Sequence, residues 1–324
     1  MEFEFALTSI DKDGKGWKEN FERTWPNYKR WYLADGLAAR PRYRSCLDAL
    51  EKYMPELLPI YAQVCEWAGA GDLESRFLSL YNPPAYMAGC TQAVWHAPTG
   101  PILIRNYDYD PRWFEGVTFS SDWLQPVIGI SDCAWGLLDG MNSSGLCASL
   151  TFGGSRKKAR GFGIPLVIRY ALEVCSTVKE AIEVFRRIPV HMTYNVTLLD
   201  ASGAYSVLFL SPGGGLTSHD RRVCANHQSK VVWPKYEAIT ATRERETHLD
   251  RILANPDLTR VGLIGKFLTP PIYQSNYRKS FGTLYTTLWD PTQKDLHVYW
   301  PGAETRASFS EFEPRRFPVN LNPE

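Results

Sequence analysis

The chain has 324 residues, enough for one large domain or two ordinary ones. Charged residues make up 22% and the formal net charge is +1, so there is no electrostatic footprint for nucleic acid or for an acidic membrane surface. No apolar stretch approaches the roughly 18 residues needed to span a bilayer.

The opening run MEFEFALTSIDKDGKGWK is acidic where a signal peptide is basic, and no long apolar core follows. The closing NLNPE carries no peroxisomal or retention signal. These features predict a cytoplasmic protein. Residues 17–80 read as helical: Leu47, Leu50, Met54, Leu57, Leu58, Tyr61, Val64 and Cys65 recur at threes and fours. Pro41 suits a first turn, Pro55 and Pro59 break the run in two, and Gly69 and Gly71 mark a stop. YNPPAYMAG then forms a rigid, non-helical connector.

From Cys90 the pattern changes to short strands at 91–97, 101–107, 117–121, 126–132, 134–139 and 145–152, with a hairpin turn at Gly100–Pro101. Helix returns over 164–187, with Thr177 as an internal cap. Strands follow at 193–200, 203–210 and 222–225, then helices over 234–254 and 259–267. The chain closes on a hairpin-like pair, GTLYTTLWDP and DLHVYWPG. Hairpins, then helices, then more hairpins predict an α+β fold rather than alternating βαβ units; a sandwich of two antiparallel sheets covered by helices fits this order.

The seven cysteines, at 46, 65, 90, 133, 147, 175 and 224, are scattered and odd in number, with no CxxC pair. This is neither a disulfide framework nor a zinc knuckle. The six histidines form no HExxH or HxH, so neither a metal nor another cofactor is expected.

One thiol stands apart. In YMAGCTQAVW, Cys90 follows Gly89 and opens a strand. Glycine offers little steric hindrance to attack on its own carbonyl. Attack by the Cys90 sulfur on the Gly89 carbonyl would give a thioester by an N-to-S acyl shift. Water would then leave Cys90 as a new N-terminus, a nucleophile carrying its own base in an α-amino group of pKa about 7.7–8.0. The thiol titrates at about 8.5 unless a cation lowers it, and RNYDYD follows with an arginine and two aspartates.

Here the chain resembles a known family. GCT followed by GPILIRNYDYDP is similar to the nucleophile region of the penicillin acyltransferase-like cysteine peptidases, relatives of the choloylglycine hydrolases and acid ceramidase-like amidases. All are N-terminal nucleophile hydrolases. WGLLDGMNSSGLCASLTF, then TYNVTLLDASGAYSVLFLSP with VCANHQ, then YRKSFGTLYTTLWDPTQKDLHVYWPG continue the resemblance in order, from about 86 to 301.

The resemblance implies an α+β, four-layer αββα sandwich of two antiparallel sheets, with residues 1–89 as a helical pro-segment and 90–324 as the catalytic domain. It implies self-cleavage between Gly89 and Cys90. It matches Cys90 to the nucleophile, Arg105 to the arginine beside the thiol, Asp108 to the aspartate that holds the liberated α-amino group, and Asn226 to the oxyanion donor. Thr91, Asn195 and Arg278 fall at supporting positions. Arg105 and Asp108 lie three apart on one strand and so point to opposite faces; for both to reach Cys90 the strand must end or bend near Asn106, or one side chain must work from the strand's end.

Alternatives stay open at this stage. Cys90 alone reads as a buried structural thiol, and Asn226 alone as a turn residue. Asp108 and Asp110 alone read as turn residues before Pro111. His227 or His96 paired with the thiol would make a Cys-His hydrolase, and a catalytically silent member would be a binding protein. SRKKARG at 155–161 reads as a solvated loop or a contact for an acidic substrate group. Trp95, Trp113 and Trp123 are candidates to line an acyl pocket. The implied reaction is hydrolysis or acyl transfer on a small-molecule amide or acyl thioester, with an amine as acceptor in the second case. Neither nucleic acid nor membrane is an expected partner. The two fragments are expected to remain associated, and the oligomeric state is left open.

Overall fold

The computed structural model describes residues 2–279 and 281–321. The chain opens with strand β1 (Glu2–Ser9), followed by helices α1 (Lys15–Tyr32), α2 (Tyr43–Tyr53), α3 (Leu58–Trp67) and α4 (Asp72–Leu78). Strands β2 (Gly89–Ala97), β3 (Gly100–Tyr109), β4 (Val117–Asp122), β5 (Pro126–Asp132), β6 (Gly136–Asn142) and β7 (Cys147–Phe152) form the middle of the chain. Helices α5 (Ile164–Val174) and α6 (Val178–Arg187) precede β8 (Tyr194–Leu199), β9 (Tyr205–Leu210), β10 (Leu216–His219) and β11 (Val223–Cys224). Helices α7 (Pro234–Thr240), α8 (Thr242–Leu253) and α9 (Arg260–Phe267) lead to β12 (Gly282–Asp290), β13 (Asp295–Trp300), β14 (Ala303–Ser308) and β15 (Arg315–Asn320).

The breaks follow the residues that cause them. Pro55 and Pro59 separate α2 from α3, and α3 stops before Gly69. The helical run over 164–187 divides where Thr177 caps α6: its hydroxyl accepts from the Glu180 amide while the Glu180 side chain accepts from the Thr177 amide. The run over 234–254 divides at Ala241, whose left-handed φ of 47° ends α7 and starts α8.

Nine strands make one sheet in the order β10-β9-β8-β7-β6-β5-β4-β1-β15, and six make the other in the order β11-β2-β3-β12-β13-β14. Among the described strand pairs, β1 with β4 is the one parallel pairing. The principal core lies between the sheets and beneath α5 and α6. A second core joins Ala93, Trp95, Ile102 and Ile104 on the outer face of the smaller sheet to Leu249, Leu253, Leu263 and Phe267 of α8 and α9. This is the αββα sandwich of two antiparallel sheets expected for the chain. No helix among the described residues is long and apolar enough to cross a membrane.

The N-terminal segment differs from the helical pro-segment expected. Residues 2–9 are a strand, in which the consecutive residues Phe5, Ala6 and Leu7 are all buried, covered on both faces. β1 is hydrogen-bonded on one side to β4 and on the other to β15, so residues from the first 89 form an interior strand of the larger sheet. The sequence pattern also gives no sign of β10, β14 and β15, which are short or polar.

Phe5 is fully buried and sits edge-on to Trp300 at a centroid distance of 4.9 Å. Phe5→Ala should therefore cost about 3–5 kcal/mol, the usual range for emptying an aromatic core position. Denaturant unfolding of the full chain measures this; a loss under about 1 kcal/mol, the size of an ordinary substitution, would mean that β1 is not part of the cooperative core.

Candidate active site

β2 and β3 pair in regular antiparallel register, with Gly89 opposite Asp108, Cys90 opposite Tyr107, Thr91 opposite Asn106 and Gln92 opposite Arg105. Residues directly opposite share a face, and the face alternates along the strand. Cys90, Gln92, Arg105 and Tyr107 therefore face the larger sheet, while Gly89, Thr91, Asn106 and Asp108 face α8 and α9. β3 does not end near Asn106; pairing continues to Tyr109, so Asp108 lies next to the strand's end, where the register with β12 shifts. Arg105 meets the Cys90 sulfur, while Asp108 lies on the other face and is held by Thr283 and Arg245.

On the inner face, Arg105 donates to the Cys90 sulfur at 3.2 Å. Its other terminal nitrogen donates to Asp139 Oδ2 at 2.5 Å and to the Tyr285 hydroxyl at 2.7 Å. Asp139 comes from β6 in the opposite sheet, so the ion pair bridges the sandwich with both side chains fully buried. Thr287 also donates to Asp139, at 3.2 Å. The guanidinium lies 4.9 Å from the Tyr107 ring centroid, over its face. Burial works against the Arg105 cation, but Tyr285, Cys90 and Asp139 outweigh it and hold its pKa well above the ordinary value. Burial pushes the Cys90 thiol up, and Arg105 opposes that shift by favouring the thiolate.

On the other side lies the Cys90 backbone. Its amide donates to Asn226 Oδ1 at 2.8 Å. Asn226 follows the two-residue β11, which pairs with Gln92 and Ala93. The Asn195 side-chain amide holds this segment by donating to the carbonyls of Ala225 and His227, both at 3.0 Å. The Asn226 Nδ2 donates to the carbonyls of Phe152, at 3.2 Å, and of Ala88, at 3.3 Å. The Tyr236 hydroxyl of α7 donates to the same Ala88 oxygen at 2.6 Å.

Asp108 is held by Thr283, which donates to Oδ1 at 2.7 Å, and by Arg245 of α8, which donates to Oδ2 at 2.5 Å. Arg245 also donates to Asn226 Oδ1 at 3.0 Å. Gly89 fits here because it has no side chain: a Cβ on it would lie 2.4 Å from Phe281 and 3.1 Å from Asp108. Of the supporting residues, Thr91 is buried on the outer face with its hydroxyl unpartnered among the described residues. Arg278 is exposed in the turn Tyr277–Lys279, and Arg245 is the second arginine that reaches the site.

The histidines are engaged elsewhere. His227 meets Thr242 through Nδ1, at 3.0 Å, and Glu246 through Nε2, at 2.9 Å. His96 is six positions along β2 from Cys90, about 20 Å at the rise of a strand, and contacts the Gly203 carbonyl. Asp110 caps the turn after β3 and pairs with Arg112. All seven cysteines are free and buried.

A cavity of about 380 Å³ is lined by Trp31, Tyr86, Tyr109, Trp113 and Phe114, with Glu115 and Asp132 also on its wall. Its Tyr86 hydroxyl bonds that of Tyr107 at 2.7 Å, so one ring separates the cavity from the Cys90 position. Trp113 belongs to this cavity. Trp95 packs in the outer core, and Trp123 meets Trp135 edge-on and lies under the Arg169 guanidinium. Arg156 and Lys157 of the SRKKARG run line a separate open cleft with Lys230 and Trp233.

Three residues of the arrangement escape a reading of the sequence. Asp139 lies in the DGMN segment and has a signal, a carboxylate inside the apolar strand WGLLDGM. Arg245 occupies the buried stripe Thr242, Arg245, Leu249, Leu253 of an otherwise charged helix, and a cation on such a stripe is legible as a buried partner. Tyr236 has no comparable signal.

A model of the family described as acyl-coenzyme A:6-aminopenicillanic acid acyl-transferase matches residues 95–305. That span holds Arg105, Asp108, Asp139, Asn226 and Arg245, and begins after Cys90. No curated protein sequence matches the chain. Similar solved structures include penicillin V acylase from Agrobacterium tumefaciens, with 16% identity over 68% of this chain and 87% of that one, and a TM-score of 0.47. A mutant of conjugated bile acid hydrolase from Clostridium perfringens has 15% identity over 72% and 98%, and a TM-score of 0.46. The Caenorhabditis elegans ortholog of N-acylethanolamine-hydrolyzing acid amidase has 16% identity over 71% and 100%, and a TM-score of 0.47.

If Arg105 acts on the sulfur, Arg105→Gln should move the pH midpoint of Cys90 alkylation upward by about 1–3 units, the usual effect of losing an adjacent opposite charge. Labelling rates followed at the Cys90 peptide by mass spectrometry, with unfolding measured in parallel, give the answer. A midpoint that stays in place in a folded variant would separate the guanidinium from the thiol.

Proposed function

The chain belongs to the acyl-coenzyme A:6-aminopenicillanic acid acyl-transferase family, and we propose that it cuts itself between Gly89 and Cys90 and then uses Cys90 as an N-terminal nucleophile in amide hydrolysis or acyl transfer. The observation that carries this reading is that the two polar ends of one residue are held separately: the Cys90 sulfur by Arg105 and the Cys90 amide by Asn226. A buried structural cysteine needs no guanidinium at its sulfur, and its amide needs only some acceptor, not a side chain that also reaches the peptide ahead of it. The thiol–imidazole reading lacks such support, because His227 is bonded to Glu246 and Thr242.

In the first step the Cys90 sulfur attacks the Gly89 carbonyl, the C–N bond breaks as the S–C bond persists, and the departing nitrogen keeps its proton and takes up the one lost by the thiol. Water then hydrolyses the thioester. Gly89 leaves as a carboxylate, and Cys90 has a free thiol and a free α-amino group.

That amine would lie against Asn226 Oδ1, the acceptor it already uses as an amide, and beside Asp108, opposite Gly89 on β3. Arg245 donates to the same Oδ1 atom. The Arg245 guanidinium disfavours the ammonium form and the Asp108 carboxylate favours it, and an α-amino group of ordinary pKa about 7.7–8.0 serves as a base near neutral pH. It takes the thiol proton as sulfur attacks the substrate and returns it to the leaving amine. The Asn226 Nδ2 supplies a donor to the oxyanion. The aromatic cavity beside Tyr107 is suited to the apolar part of a small-molecule acyl amide or thioester, with water or an amine taking the acyl group.

Two measurements test the reading. Intact mass of purified wild type should show fragments 1–89 and 90–324, while Cys90→Ala stays whole and inactive. Wild type that remains whole under all maturation conditions would remove the free amine and with it the mechanism. Because β1 is hydrogen-bonded to both β4 and β15, the two fragments should co-elute in native size exclusion and part only in denaturant. Separation of the fragments in native buffer would show that β1 does not hold them.

A further inference from the structure

The Ala88 carbonyl is held in an unusual way for a peptide group just ahead of a cleavage site. Two side-chain donors converge on its oxygen, the Tyr236 hydroxyl at 2.6 Å and the Asn226 Nδ2 at 3.3 Å. One of them belongs to the side chain whose other end, Oδ1, holds the Cys90 amide at 2.8 Å. The Ala88 oxygen is thus one carboxamide away from the nucleophile residue. When the bond between Gly89 and Cys90 is broken, Ala88 is part of the fragment that ends at Gly89. Its withdrawal would leave two donors facing one empty point.

Two fixed donors aimed at one oxygen position are what a tetrahedral intermediate requires. We propose that Tyr236 is a catalytic residue of the mature enzyme, and that its hydroxyl joins Asn226 Nδ2 in an oxyanion hole that the Ala88 carbonyl occupies in the uncut chain. The inference rests on the self-cleavage reading and adds to it a donor from α7. As the Cys90 sulfur bonds to the substrate's acyl carbon, the carbonyl π pair moves onto oxygen and is received by these two donors. As the intermediate collapses, the pair returns and the amine departs with the proton from the α-ammonium group.

The surroundings of Tyr236 suit this task. Its ring is stacked on Trp233 at 5.0 Å and met edge-on by Phe152 at 5.2 Å, so the hydroxyl is aimed by packing on both sides. Burial raises its pKa well above the ordinary phenol value, which keeps the proton on the oxygen for donation. Arg245, bonded to Asn226, places positive charge behind the same point.

Tyr236→Phe removes the hydroxyl and keeps the ring. Wild type and variant are compared as processed protein, isolated by ion exchange and normalised by titration of the active thiol, so slower self-cleavage in the variant does not obscure the result. Two probes are used, a straight-chain acyl p-nitroanilide and the aldehyde of the same chain length, which forms a hemithioacetal oxyanion on Cys90. The expected result is a kcat about 10²-fold lower, a KM within threefold, and aldehyde binding weakened by a factor close to that in kcat. A role confined to holding Ala88 in the precursor would slow self-cleavage and leave processed-enzyme kcat and aldehyde affinity within twofold of wild type; that outcome overturns the inference. Aldehyde binding needs no turnover, so it decides the point even if the anilide is a poor substrate. Wild type that never processes overturns the underlying reading instead, and the two failures are told apart by mass before any kinetics.

Discussion

The site depends on a guanidinium with no exposed surface, placed between two β-sheets. Arg105 cannot be buried there without a counter-charge, because an uncompensated ion in the interior costs several kcal/mol. Asp139 supplies it from the opposite sheet, and Tyr285 and Thr287 add hydrogen bonds to the pair. The pair is weak evidence of net stability, since its Coulomb energy mostly offsets desolvation. What it does is fix position. With Nη1 held by Asp139 and Tyr285, Nη2 of Arg105 points at the Cys90 sulfur.

A second buried pair, Arg245 with Asp108, works on the other face of the same two strands. The period-2 alternation of a strand is usually a device for separating core from solvent. In β2 and β3 both faces are covered, one by the larger sheet and one by α8 and α9, so alternation separates two polar environments instead. One surrounds the Cys90 sulfur, where burial raises the thiol pKa and Arg105 opposes that rise. The other surrounds the amide nitrogen of the same residue, which donates to Asn226. On the proposed reading, a nucleophile and its base on one residue would need such a division, because a single cation beside both would act on them together.

The larger sheet bears on this as well. By running β1 between β4 and β15, the first segment becomes part of the body it precedes. Under the proposed self-cleavage, the connector over residues 81–88 would leave the site while its parent segment stayed attached, a local displacement instead of the loss of a domain.

Much of this is legible in the chain itself. The thiol after a glycine, the arginine in an apolar strand, and the ordered fragments from 86 to 301 imply the sandwich and point to Cys90, Arg105, Asp108 and Asn226. Local patterns place most helices and strands, since periodicity and capping are properties of neighbours in the chain. β1 escapes them because the eight residues EFEFALTS gain their strand character from two partners, one of them at the far end of the sequence. Motif spacing favours Arg278 over Arg245 because it counts residues along the chain, whereas access to the site depends on which helix packs on which face of β2. The sequence by itself determined the fold class, the nucleophile candidate and the residue types the chemistry needs. Only the tertiary structure decided which carboxylate neutralises which arginine, and which end of Cys90 each one addresses, because those pairings join groups 34 to 137 positions apart and are chosen by the cost of leaving a buried charge alone.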